Sequence, residues 1–222
     1  MIDVSDLTVG YGNKTVINRL SFSVQPKDGP LVLAGRNGSG KSTLFKALLG
    51  QVSFQGQIRI DGSVAWMPQQ NKIAFRLPVP DFIALGAVEN RSLFPNLLSG
   101  SREKAIELLE EFHLQHLQNA WTDTLSGGEW QLVCMAQMAL QNASVWLLDE
   151  PSSSLDIFYK KLIFNHLWSQ SEKGVQVILS THDLPFLPRL QGKLLLFGSN
   201  MGLLTLSEET QITALNFLGS RQ

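Results

Sequence analysis

The stretch LVLAGRNGSGKSTLFKALLG, residues 31–50, leaves this chain few folds to choose from. An apolar run enters a glycine-rich loop with the spacing Gly35-x4-Gly40-Lys41-Ser42, and a helical pattern follows at once. Strand, tight loop and helix in that order let successive backbone N–H groups curl inward around an anion and add the partial positive charge of the helix N-terminus. Gly35, Asn37, Gly38, Ser39, Gly40, Lys41, Ser42 and Thr43 are therefore candidates for holding phosphates. Lys41 is expected to reach the β- and γ-phosphates, and the Ser42 hydroxyl to ligate Mg²⁺. The loop reads as a nucleoside triphosphate site. Kinases, GTPases and motors share it, so it does not by itself select a function.

A second acidic element narrows the field. VWLLDE places Asp149 and Glu150 at the exit of an apolar strand, where side chains emerge at the carboxyl end of a parallel sheet. Asp149 is positioned to hold the magnesium through water, and Glu150 to polarise an attacking water. Farther on, STHD puts His182 at the end of another apolar strand, 33 residues after Asp149. Its imidazole is placed to hydrogen-bond a γ-phosphate and keep Glu150 and water in register. His113, His116 and His166 read as structural.

Composition removes several alternatives. The 222 residues carry 18 basic and 19 acidic side chains, a balance that gives no electrostatic footprint for nucleic acid. Cys134 is the only cysteine, so no internal disulfide forms, and its apolar surroundings read as core. No run approaches the ~18 apolar residues of a membrane span, and the N-terminus lacks a secretory pattern. These features predict a protein that stays in the cytoplasm while touching a membrane partner.

Periodicity predicts the architecture. IDVSDLTV, VINRLSFSV, PLVLAG and GQIRIDG are short β-favouring runs separated by turn residues, which predicts antiparallel strands beside a buried core strand. SVAWMPQQ reads as a further strand, and from about Pro78 to Asn142 the pattern becomes helical. There Ala105, Ile106, Leu108, Leu109 and Phe112 recur at helical spacing, with Ser101 as the expected N-cap and Glu103, Glu107, Glu110 and Glu111 mostly solvated. ASVWLLDE, DIFYKKLIFNHLWSQ and GVQVILSTHD then read strand, helix, strand, a βαβ crossover with a parallel sheet. A closing hairpin is expected to turn near Ser199 and Asn200, with one helix from about Ser207.

Between the two acidic and phosphate elements lies LSGGEWQ, from Leu125 to Gln131, and here the chain resembles the ATP-binding cassette (ABC) ATPases. The resemblance covers essentially the whole chain. It implies an α/β P-loop NTPase with a mostly parallel core sheet, an antiparallel β subdomain and an inserted helical subdomain. The implied division is one domain over 1–222, with 1–77 and 143–222 forming the core and 78–142 the helical insert. Ser126 would cap a helix whose N-terminal amides, freed of bulk by Gly127 and Gly128, form a second anion site together with Glu129. In the family that site faces the γ-phosphate on the opposite subunit, so two copies sandwich two ATP molecules.

Other family elements follow in order. Tyr11, 24 residues before Gly35, stands where the family stacks an aromatic on adenine. Gln69 matches a glutamine that touches magnesium and senses the membrane partner, with Gln70 beside it as the alternative. Ser154, Leu155 and Asp156 resemble the loop that crosses the dimer interface. Leu132 and Gln137 stand where relatives often carry basic residues, and Asp28-Gly29-Pro30 replaces a Glu-Gly turn. None of these departures touches the phosphate, metal or base positions.

The resemblance implies an ATPase that uses ATP and Mg²⁺ and closes as a homodimer. It would drive transmembrane permease subunits from the cytoplasmic side of the inner membrane as a peripheral subunit, with an external substrate-binding protein acting through the permease. Contact with the permease is expected near Gln69 and residues 71–100. DFIALG and LSGGEWQ look like importers of iron chelates, haem or cobalamin. The alternatives are the ATPase of a metal-ion importer or exporter, a soluble ABC ATPase such as the iron–sulfur cluster assembly type, and a non-hydrolysing interaction module.

Overall fold

The computed structural model describes residues 1–69, 76–87, 98–187, 191–198 and 202–219. The first two strands, β1 (Ile2–Tyr11) and β2 (Lys14–Val24), form an antiparallel hairpin. Strand β4 (Gln55–Ile60) pairs antiparallel on the other side of β1, giving a three-stranded sheet in the order β2-β1-β4. β1 alternates buried and part-exposed residues, the period-2 signature of a sheet with one covered face.

The second sheet has six strands in the order β5-β6-β7-β3-β8-β9. β3 (Leu31–Gly35), β5 (Val64–Met67), β6 (Val145–Asp149), β7 (Gln176–Ser180) and β8 (Lys193–Phe197) are mutually parallel, and β9 (Gly202–Thr205) returns antiparallel along β8. β3, β6 and β7 are buried at every position, which is why they read as continuous apolar runs. Their alternate residues feed two cores. Leu31, Leu33, Val145, Leu147 and Ile178 pack with the three-stranded sheet and helix α1 (Lys41–Leu48). Val32, Ala34, Trp146, Leu148, Val177 and Leu179 pack with the helices on the other face.

Those helices are α2 (Val79–Ala84), α3 (Leu98–Glu111), α4 (Gly127–Ala139) and α5 (Ile157–Glu172), and α6 (Glu208–Gly219) follows the last strand. Ala105, Leu109 and Phe112 are buried as expected. Ser101 is not the N-cap of its helix: α3 already begins at Leu98, so Ser101 lies within its opening turns, a half-buried position in line with Ala105 one turn on. Serine and glycine carry too weak a helical preference to mark where the chain enters a helix.

The strand expected over SVAWMPQQ stops at Met67. Gln70, the turn at Ser199 and Asn200, and residues 71–75 and 88–97 lie outside the described residues, although 76–87 and 98–100 are described. Among the described residues no helix is long and apolar enough to cross a membrane. Because β3, β6 and β7 are parallel and adjacent, the loops at their carboxyl ends, carrying Gly35–Lys41, Glu150 and His182, emerge side by side.

Candidate functional site

The loop after β3 is shaped by what glycine lacks. A Cβ on Gly35 would lie 2.6 Å from the Phe197 Cβ and 2.7 Å from Ser39 Oγ, so no larger residue fits. Gly40, the N-cap of α1, has φ +112°, a conformation that side chains rarely adopt. The curled loop closes with Ser39 N donating to Arg36 O at 3.1 Å. Ser39 Oγ is buried without a hydrogen-bond partner, an orphan that an anion in the loop would satisfy.

Lys41 is only 6% exposed. Its Nζ donates to the carbonyls of Gly35 at 2.6 Å and Arg36 at 3.3 Å. Burial holds its pKa below the usual lysine value, against the pull of the Glu150 and Asp149 carboxylates. A cation stripped of water and held by neutral carbonyls gains when an anion arrives.

Asp149 and Glu150 are chain neighbours with unlike surroundings. Asp149 is 4% exposed and accepts two short bonds, from Ser42 Oγ to Oδ2 and from Ser180 Oγ to Oδ1, each 2.6 Å. Glu150 Oε1 is buried with no hydrogen-bond donor. His182 Nε2 lies 3.1 Å from it, close enough for an ion contact but off the hydrogen-bond direction. That same nitrogen meets Asn37 Oδ1, also at 3.1 Å. Burial, reinforced by the Asp149 charge and opposed by Lys41, pushes the Glu150 carboxyl up to about 7. Burial and the charge of Lys41 push the His182 imidazole down, towards its neutral form.

Lys41, Ser42, Thr43, Gln69, Asp149 and Glu150 line one cavity of about 380 Å³, together with Asn37–Gly40 and Val16. Tyr11 stands outside that lining, 48% exposed and paired with Lys14 in the hairpin. Among the described residues no group of three or more His, Cys, Asp and Glu side chains gathers as a metal cage. Ser42, Asp149 and Gln69 are hard oxygen donors on one wall, a set that suits Mg²⁺ completed by water and phosphate.

Ser126, Gly128 and Glu129 border a different cavity, of about 460 Å³, which they share with Ser154, Leu155 and Asp156. Ser126 caps α4 in a reciprocal box: Glu129 N donates to Ser126 Oγ at 3.3 Å, and Ser126 N donates to Glu129 Oε2 at 2.8 Å. Hydrogen bonds from Ser126, and then from His116, hold the Glu129 carboxyl below the ordinary range. A third cavity, about 710 Å³, lies at the opposite end of the parallel sheet against Trp168 and the turn at residues 26–30. It contains none of the residues above.

Five side chains of this neighbourhood had no role assigned from the sequence. Ser180 bridges Asp149 Oδ1 and the Glu150 N–H, the latter at 2.9 Å. Asp183, next to His182, accepts from Ser152 Oγ and Lys160 Nζ, both at 2.7 Å. Gln131 Nε2 donates to the Glu150 carbonyl at 3.1 Å. A polar residue inside an apolar stretch was the available signal for Gln131, and nothing marked Lys160.

The chain matches the ABC transporter family model over residues 17–153. It is 31% identical, over 82% of its length and 78% of the relative's, to a Helicobacter pylori protein named for iron chelatin transport as an ATP-binding protein. A Rhizobium leguminosarum relative, the hemin import ATP-binding protein HmuV, is 33% identical over 83% of this chain and 76% of its own. Among solved structures, a metal-chelate type ABC transporter in an inward-facing conformation aligns with 96% of this chain and 88% of its own, at 27% identity and a TM-score of 0.79.

Proposed function

The chain belongs to the ABC transporter family as an ATP-binding, ATP-hydrolysing subunit, and on that premise we propose that it powers the import of an iron chelate or haem by closing as a pair around two ATP molecules. The observation that carries this reading is the division of site residues between two separate cavities. The phosphate loop, Gln69, Asp149 and Glu150 share one, and the amides capped by Ser126 open on the other. A second copy, presenting its Ser126, Gly127, Gly128 and Glu129 to the γ-phosphate held in the first cavity, would complete the site. Ser154, Leu155 and Asp156 would then lie at the junction between copies, and Tyr11 would stack on the adenine.

In this reading the loop amides and Lys41 bind the β- and γ-phosphates, exchanging the carbonyl partners of Nζ for phosphate oxygens. Mg²⁺, held by Ser42, Asp149 and Gln69, would supply charge neutralisation between the phosphates when bound. Glu150 orients the attacking water and accepts its proton, and neutral His182 donates from Nε2 to the γ-phosphate while keeping the carboxylate in place. The raised pKa of Glu150 suits a base near neutral pH. Closure on ATP and reopening after hydrolysis would move permease subunits gripped beside Gln69, with the subunit peripheral on the inner face of the cell membrane. In this arrangement 78–142 is the inserted helical unit, and 1–77 with 143–222 the nucleotide-binding core.

Cargo follows from the relatives' names, iron chelatin and hemin. The test is a gentle-detergent pull-down of the tagged chain from its native membranes, followed by mass spectrometry. A polytopic permease encoded with an iron-chelate or haem binding protein is the expected result. Recovery of soluble partners alone would sink the transport reading and leave an ATPase that acts elsewhere.

A further inference from the structure

Glu150 adopts φ +53°, a left-handed conformation that costs a residue with a Cβ about 1–2 kcal/mol and persists only where its surroundings hold it. Both of its backbone groups are held. The N–H points at Ser180, 2.9 Å from Oγ and 3.2 Å from the carbonyl oxygen. The carbonyl oxygen accepts from Ser153 N at 3.2 Å within its own turn and from Gln131 Nε2 at 3.1 Å across the structure.

Gln131 lies on α4, flanked by buried Trp130, Leu132 and Val133, and is itself only 8% exposed. Burying an amide among such neighbours costs free energy unless it is paired, and an aliphatic side chain would fill the space without that cost. The amide is spent on one carbonyl, that of Glu150. The same helix carries Ser126 at its cap, five residues earlier, facing the second cavity. The helix that carries this cap is thus joined through one side chain to the backbone of Glu150.

We propose that Gln131 is a positioning residue for Glu150, tying the helix that begins at Ser126 to the carboxylate that orients the attacking water. This rests on reading Glu150 as the base. The tether fixes the peptide that follows the Glu150 Cα, and with it the direction in which the side chain leaves the chain. Without the tether the strained turn relaxes, and the carboxylate samples orientations that do not face the γ-phosphate. ATP binding depends on the loop at 35–43 and is left intact.

The experiment is steady-state ATPase kinetics on the full chain, with Gln131→Met, Gln131→Asn, Glu150→Gln and the Gln131→Met/Glu150→Gln double variant. Methionine keeps length and volume but has no donor, whereas asparagine keeps the amide and is one methylene too short, so either serves should the other fail to fold. Each is expected to lower kcat by about 10-fold while KM for ATP stays within about twofold. In the Glu150→Gln background the methionine is expected to change the residual turnover by no more than about twofold, because its effect runs through that carboxylate. Wild-type kcat in both Gln131 variants beside a crippled Glu150→Gln would overturn the tether alone. So would a loss that multiplies in the double variant, or one carried by KM. Wild-type turnover in Glu150→Gln would overturn the base reading, and the tether with it.

Discussion

Replacing Glu150 by glutamine is expected to stabilise the nucleotide-free protein at alkaline pH and much less at acid pH. Glutamine has the shape of the protonated acid and never ionises. In the folded chain burial raises the Glu150 pKa from its ordinary 4.5 to about 7, so between those values the folded state keeps a proton that the unfolded chain has released. Stability from this group is therefore fully present below about pH 4.5 and is lost as pH rises through 7. The gap from 4.5 to about 7, at about 1.4 kcal/mol per pH unit, amounts to about 3 kcal/mol, most of which falls between pH 5 and pH 8.5. His182, whose pKa is lowered by burial, contributes with the opposite sign and loses stability as pH falls below 6.5. It is present in both proteins and largely cancels in their difference. Urea unfolding followed by tryptophan fluorescence, with chelator and no nucleotide, measures that difference directly. The advantage of Glu150→Gln should grow by about 2–3 kcal/mol from pH 5 to pH 8.5, a relative midpoint shift of about 1 M urea for a chain of this size. An advantage constant to within about 0.5 kcal/mol would refute the argument, because the carboxyl would then titrate as if it were in water.

The same substitution is expected to lower ATP turnover by at least about 100-fold while ATP binding persists, measured by phosphate release and by a fluorescent nucleotide. Lys41→Met should weaken ATP binding by about 100-fold, the worth of one charge-assisted contact in a partly dry site, as read by equilibrium titration. Lys160→Met leaves Asp183 with Ser152 alone; at exposures of 19% and 17% for the two partners, it should cost about 1–3 kcal/mol in a denaturant melt. It should also lower kcat, because Asp183 adjoins His182. Ser126→Ala should cost about 1 kcal/mol of stability as a lost N-cap, and turnover should fall without any change in the affinity of the isolated chain for ATP.

The fold was legible where local chemistry and topology demand the same residues. LVLAG cannot be other than a buried strand feeding a turn: both faces of β3 are covered, and Gly35 has no room for a Cβ. VWLLD and QVILS are equally unambiguous, and adjacent parallel strands then bring Asp149 beside Ser180. The start of α3 was not legible, because Ser99 and Gly100 in its first turn carry weak helical preference and nothing before Leu98 was read as a cap. Within the site, the residues that escaped were those whose partner is set by tertiary structure. Gln131 reaches a carbonyl 19 positions away and Lys160 a carboxylate 23 positions away. No spacing rule links such pairs, since their meeting depends on how α4 and α5 lie across the sheet.

Asp149 and Glu150 illustrate what only the folded environment decides. Side by side at a strand end, they are assigned to the metal and to the water by position alone. The strand ends at Asp149, and the left-handed turn at Glu150 sends the two to different surroundings: Asp149 between two hydroxyls, Glu150 into a buried position with one oxygen that accepts no hydrogen bond. Asp149, gripped by the Ser42 and Ser180 hydroxyls, is fixed in place beside the phosphate loop. Burial raises the Glu150 carboxyl to about 7, so near neutral pH it gives up and takes back a proton at small cost. Such a divergence between neighbouring carboxylates marks out their duties. The first suits a permanent ligand for a cation, the second a group that exchanges a proton with water in each cycle. Stripping donors from Asp149 with Ser180→Val and Ser42→Val, the second of which also removes a magnesium ligand, should therefore weaken Mg²⁺-dependent ATP binding more than metal-free ATP binding. Titration of MgATP against ATP with chelator separates the two effects, and equal losses in both would show that the hydroxyls serve only the loop's architecture.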